Sequence, residues 1–202
     1  MKLQSFVTIV FLCFLCACQL RIDKPQDIQD KIQPEKTDNI TPQVVIDSIP
    51  PLDEIETGRY AMRISGNGPS SVKGFLLGNA SFARTDTPVL NAKGLGGKIR
   101  GEIRMSYSQG LIRVFKVYFA DEVNGTNSYA LLPYEEFKER LPLDSVASTY
   151  SIASGFQFNS RKGSLQIISN DAQLLTGKFL GTFFSEKGDS LVITTHFKAV
   201  KE

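Results

Sequence analysis

The sequence predicts an all-β fold, an antiparallel β-sandwich or barrel with one short helix. Three observations carry that expectation. Apolar and polar residues alternate with period two over most of residues 58–202, the pattern of half-buried strands. Turn residues break the alternation roughly every eight to twelve residues, marking off about nine short strands. No helical pattern recurs between the strands, so nothing supplies the crossovers that a parallel sheet needs.

The start of the chain has a different character. Behind Lys2, residues 6–15 are apolar and run into Leu15-Cys16-Ala17-Cys18. A charged start, an apolar centre and a small residue before the cut make the layout of a secretory signal peptide, here residues 1–17. The apolar run is shorter than the ~20 residues that cross a bilayer. Cys13, Cys16 and Cys18 are the three cysteines of the chain. An exported chain with no later cysteine uses Cys18 for something other than a disulfide. Residues 15–18 resemble the lipobox of bacterial lipoproteins, with Leu at −3, Ala at −1 and the acceptor cysteine at +1. The resemblance implies that Cys18 is diacylated on its thiol, becomes the mature N-terminus and holds the protein on a membrane. Two acyl chains suffice for stable anchoring.

Residues 18–57 read as the acylated cysteine and a flexible tether. From Gln19 to Thr57 there are five prolines, no aromatic residue, and nine acidic against four basic residues. Such a stretch buries too little apolar surface to offset the entropy of its own ordering, and it behaves as a partly extended spacer.

Residues 58–202 hold eleven Phe and six Tyr, enough for a single core in one domain of common size. Expected strands lie at 58–65, 72–84, 99–107, 111–119, 127–132, 149–159 and 164–169, followed by a closing hairpin. In the run from Ile99 to Tyr107, Ile99, Ile103, Met105 and Tyr107 share one face and the charges take the other. Ser108-Gln109-Gly110 turns the chain, with Gly suited to the left-handed position of a short loop, and Leu111–Phe119 returns. Tyr150, Ile152, Phe156 and Phe158 mark the inward face of 149–159. At the end, Phe179, Gly181 and Phe183 alternate, Glu186-Lys187-Gly188-Asp189 turns, and Leu191, Ile193, Thr195 and Phe197 alternate back. The single helix is expected over 133–141. It has Pro133 in its first turn, acids near its N-terminus, Phe137 and Leu141 on one face, and Pro142 as its stop.

Little in the domain points to chemistry. It carries 18 basic and 12 acidic residues, net +6, without a run of adjacent Lys and Arg beyond the pair Arg161-Lys162, so ordinary solvated charge is the reading and nucleic acid is not expected as a partner. His196 is the single histidine. It stands opposite in parity to Ile193 and Phe197, and with no cysteine in the mature domain no metal site is expected. Residues 121–127 offer oxygen ligands around Gly125 but lack the EF-hand spacing, so an Asn-Gly hairpin turn is expected there. Gly94-Leu95-Gly96-Gly97-Lys98 has Ile99 where a phosphate loop needs Ser or Thr. Gly66-Asn67-Gly68-Pro69 reads as a turn. There is no Gly-x-Ser-x-Gly elbow, and no catalytic residue or cofactor is assigned. Glu102, between Arg100 and Arg104, suits a cross-strand ion pair better than a general acid.

Asp47-Ser48-Ile49, Asp144-Ser145-Val146 and Asp189-Ser190-Leu191 look like the Asp-Ser/Thr-apolar triplet that Bacteroidota O-glycosylate on exported proteins. Ser48, in the tether, is the candidate acceptor. The chain resembles the small lipoproteins of uncharacterised function in Bacteroidota, through its lipobox, its Pro-rich tether and the closing hairpin from Leu175-Thr176-Gly177-Lys178-Phe179 to Ile193-Thr194-Thr195-His196-Phe197. The resemblance implies a cell-envelope location, on the outer membrane. In that group, acids soon after the acceptor cysteine accompany surface export. Here Gln19-Leu20-Arg21 follows and the first acid is Asp23, so the periplasmic and surface faces both stay open. The expected function is a lipid-anchored binding or structural module whose partner is an envelope protein or glycan. One variant is a barrel taking a small apolar ligand inside. The alternative from another class is a carbohydrate-active or other hydrolytic enzyme using distant carboxylates.

Overall fold

A computed structural model describes residues 48–90, 94 and 96–202. Cys18, the signal segment and the tether before Ser48 lie outside the described residues. The domain is a closed barrel of nine strands: β1 (Arg59–Gly66), β2 (Gly74–Leu90), β3 (Gly96–Tyr107), β4 (Arg113–Phe119), β5 (Asn127–Leu131), β6 (Ser145–Ile152), β7 (Gln157–Asn170), β8 (Leu174–Phe184) and β9 (Ser190–Lys201). Around the barrel the order is β1-β2-β3-β4-β6-β5-β7-β8-β9, closed by antiparallel pairing of β9 with β1. Closure removes the sheet edges that an open sandwich would have to protect.

Alternation decides what faces inward. Tyr60, Met62, Ile103, Met105, Phe115 and Phe158 are fully buried. The closing hairpin pairs as its pattern predicts, with Phe183 opposite Leu191 and Gly181 opposite Ile193. Its inward Phe179, Phe183, Ile193 and Phe197 are each no more than 1% exposed. Phe115 meets Phe179 edge-on at 5.0 Å and Phe183 at 5.8 Å. The phenylalanines thus fill the barrel instead of lining a hollow, as dense packing favours.

One short helix, α1 (Tyr134–Arg140), lies on the outer wall. Phe137 is fully buried against Val89, Ile99 and Ala147. The helix ends at Leu141, which takes a left-handed conformation (φ 44°) and donates its N–H to the Phe137 carbonyl. The Leu141 side chain rests on Gly97, where a Cβ would stand 2.0 Å from its Cδ1.

Three local expectations are revised. The segment 149–159 is not one strand. It folds at Ala153–Phe156 into the end of β6 and the start of β7, with Gly155 at φ 92° and Tyr150 paired with Phe158. Both arms keep the inward parity read from the sequence, so the alternation survives a turn that interrupts it. The Asn124-Gly125 loop does not join a hairpin. β4 pairs with β3 and β6, while β5 lies between β6 and β7, parallel to the first and antiparallel to the second. Residues 120–126 are therefore a crossing connection, tied down by Asn170 donating to the Val123 carbonyl.

The third revision concerns where the domain begins. Leu52–Glu54 forms a 3-10 turn, Ile55 is buried, and the Pro50 carbonyl lies 2.8 Å from His196 Nδ1. A strap of about eight residues before Gly58 thus packs on β9, and His196 is half-covered by it. Limited proteolysis should leave a core starting near Ser48. Sequencing of the core's N-terminus checks this, and a core trimmed to Gly58 with an unchanged melting temperature would show that the strap adds nothing.

Candidate functional site

The antiparallel order gives the barrel two distinct ends. The strap enters at one end. The other carries the loops 67–73, 108–112, 153–156 and 185–189. At that free end, Arg113 opens β4 with the same inward parity as Phe115, Val117 and Phe119. A guanidinium is therefore aimed into a barrel that is otherwise lined by apolar and aromatic side chains. Tyr107 stands opposite it across the β3–β4 pair, and the guanidinium lies 5.8 Å from that ring's centroid. Tyr60 and Tyr150, both buried, complete the surroundings.

A short flap closes this end. Ser70–Val72 forms a 3-10 turn whose Val72 is fully buried. Arg113 Nη2 donates to the Ser71 carbonyl at 2.8 Å, and the Tyr150 hydroxyl donates to the Val72 carbonyl at a long 3.4 Å. Asn67 Oδ1 holds the flap's first arm by accepting from the backbone and hydroxyl of Ser190. Arg113 Nε and Nη1 are buried with no hydrogen-bond partner. Buried polar atoms of native proteins are nearly always paired, and an unpaired charged donor is the costlier exception. No ion pair among the described residues includes Arg113.

The tyrosines are held neutral. Burial pushes the Tyr60 and Tyr150 phenols upward, against the opposing pull of the Arg113 charge, to which the Tyr150 hydroxyl is also close enough to hydrogen-bond. On the outer wall, burial also raises Tyr118, to about 12, while its bond to Thr149 works the other way. The sign follows directly. An unfolded phenol ionises near pH 10 and these resist, so the stability they contribute is present below about pH 10 and is lost as pH rises through their higher folded values. Alkaline unfolding should therefore set in above pH 10 together with a jump in tyrosinate absorbance. A smooth titration at the free-phenol value, without unfolding, would contradict it.

The residues singled out from the sequence sit elsewhere. Ser48 is exposed at a bend, whereas Ser145 is buried and bonded to Asp144, and Ser190 is engaged by Asn67. Of the three triplets only the Ser48 hydroxyl is openly accessible. Glu102 forms the expected cross-strand pair, with Lys116 at 3.0 Å, and Asp86 bridges Lys98 and Arg100. Burial does not drive the Asp86 carboxyl. The Lys98 hydrogen bond, with the Lys98 and Arg100 charges behind it, holds its pKa down. Among the described residues no three His, Cys, Asp or Glu side chains group as metal ligands. A depression of about 290 Å³ between β2 and β3 is lined by Asn79, Ser81, Arg104, Ser106 and Glu202. It lies on the open outer wall, at the small end of what ligands use.

Sequence reasoning passed over Arg113. The signal was there, since an arginine two residues before Phe115 falls on the apolar parity of the strand expected at 111–119. The flap could not be read, because Ser70–Val72 reaches Arg113 only after the barrel closes. No protein-family model, curated protein or solved structure matches this chain.

Proposed function

We propose that this chain is a lipid-anchored protein of the bacterial cell envelope, held by acylated Cys18, and that its barrel is a binding module which takes its ligand at the Arg113 end. The observation that carries the reading is a guanidinium inside an apolar barrel with two nitrogens unpaired. A group this unfavourable for folding is what a binding site retains, because natural sites trade stability for function. The acids engaged in ion pairs lie on the outer wall, which favours binding over hydrolysis by paired carboxylates.

Two measurements test this. Mass spectrometry should find the mature chain beginning at a diacylated Cys18, and Cys18→Ala should move the protein out of the detergent phase. An unmodified N-terminus elsewhere would overturn the anchor. Arg113→Met should melt at or above the parent temperature, because it removes a desolvated charge and gives up one hydrogen bond to the flap. A loss of about 2 kcal/mol or more, the scale of a needed charge-assisted bond, would make Arg113 a structural latch and end the binding reading.

A further inference from the structure

We infer that the Arg113 end of the barrel binds a small monocarboxylate with a short apolar body, admitted when the Ser70–Val72 flap lifts. The inference rests on the binding-module reading above and names its ligand class. The charge count comes first. The enclosed charge among Tyr60, Tyr107 and Tyr150 is one guanidinium, with exposed Lys187 farther out over the Phe156 ring, and a single carboxylate neutralises the enclosed charge. A dianionic phosphate would leave a buried charge uncompensated. Neutral phenols beside the guanidinium can donate to the second carboxylate oxygen, so the ligand's acceptors are met.

The size follows from what lies below. Phe115, Phe179 and Phe183 are in mutual ring contact at 5.0–6.0 Å directly beneath Arg113. A long tail has nowhere to go down the barrel. The mouth itself is apolar. Leu111 and Ile112, the two residues before Arg113, are 36% and 54% exposed, and half-buried Phe156 stands at the same end. A short apolar body laid over these residues, with its carboxylate turned inward, matches that arrangement.

The flap has the means to move. Gly66 and Gly74 bracket it at φ 123° and 124°, a region open to glycine and strained for other residues. Its first arm is fixed to Ser190 and Val72 is buried in the core, while its tip is held over the site by one bond from Arg113 and one long bond from Tyr150. A carboxylate would replace the neutral Ser71 carbonyl on Arg113 by an acceptor of opposite charge that can take two parallel N–H bonds from the guanidinium. The exchange favours the bound state.

Calorimetric titration of the folded protein with octanoate, octan-1-ol and acetate tests the assignment. Octanoate should bind. Octanol, which lacks the charge, and acetate, which lacks the apolar body, should each bind at least about tenfold more weakly. Arg113→Met should lose about tenfold or more in octanoate affinity. Arg113→Lys, which keeps the charge but not the planar fork, should lose several-fold. Hydrogen exchange at the Val72 and Lys73 amides should quicken when octanoate saturates the protein, because the carboxylate takes Arg113 from the Ser71 carbonyl and frees the flap. Equal affinity for octanol and octanoate, or unchanged affinity in the Arg113 variants, would overturn the assignment. Octanoate failing to bind while Arg113→Met melts like the parent overturns the carboxylate and leaves the binding module standing. A strongly destabilised Arg113→Met overturns the module itself.

Discussion

Phe183→Ala is expected to lower stability by about 3–5 kcal/mol, the usual consequence of truncating a fully buried phenylalanine. Phe183 is 0% exposed and packs its ring against Phe115 at 5.8 Å and Phe179 at 6.0 Å. Its neighbours are held by strands on both sides, β4 across the barrel and β9 through the Phe183–Leu191 pair. The wall therefore cannot collapse into the space left, and the cavity adds to the lost transfer energy. For a domain whose total stability is of order 5–15 kcal/mol, that is a large share. Thermal and denaturant melts check it. A variant that melted like the parent would mean that the rings at this end do not form a filled core. Phe197→Ala, equally buried on the neighbouring β9, should behave alike.

Ser160→Val is expected to cost about 2–4 kcal/mol, because it removes a buried hydroxyl on which two backbone groups depend. Ser160 is 1% exposed and sits where the barrel wall forks. Below it, β5 separates β6 from β7, with Leu131 paired to Val146 and to Gly163. Above it, β6 and β7 pair directly from Thr149 and Asn159. In the gap, the Ser160 hydroxyl accepts from the Ser148 N–H at 3.0 Å and donates to the Leu132 carbonyl at 2.6 Å. It stands in for two ladder bonds that the fork interrupts. Valine would leave a buried donor and a buried acceptor unmet, each worth about 1–3 kcal/mol. Ser160→Thr, which keeps the hydroxyl, should recover most of the loss. Equal stability of the Val and parent proteins would show that water or a local shift satisfies these groups.

These two sites mark where the sequence was legible and where it was not. Phe183 and Phe197 were readable because a strand's faces follow from period two alone, whichever strand turns out to be its neighbour. The helix at Tyr134–Arg140 was readable for a similar reason, since proline, the first-turn acids and the Phe137–Leu141 spacing all act within two turns. Glu102 found a cation on the next strand because cross-strand pairs follow directly from a hairpin. The turn at Ala153–Phe156 was missed because it changes direction without changing parity. Ser160, by contrast, offers no local sign. Its partners, twelve and twenty-eight residues away, are set by the insertion of β5 between β6 and β7.

By itself the sequence determined that this chain has an antiparallel β domain with inward phenylalanines, one helix and a hairpin close. Those properties depend on alternation, propensity and turn chemistry over a few residues at a time. Only the tertiary structure decided that the sheet closes into a barrel instead of stacking as two layers, that residues before Gly58 strap onto β9, and that Arg113 is enclosed under the Ser70–Val72 flap. Each depends on which distant segments meet. Closure requires the β9–β1 pairing across some 130 residues of chain. Period two specifies a strand's faces and leaves its partners open, so a lone arginine on the apolar face acquires its meaning only when the barrel surrounds it.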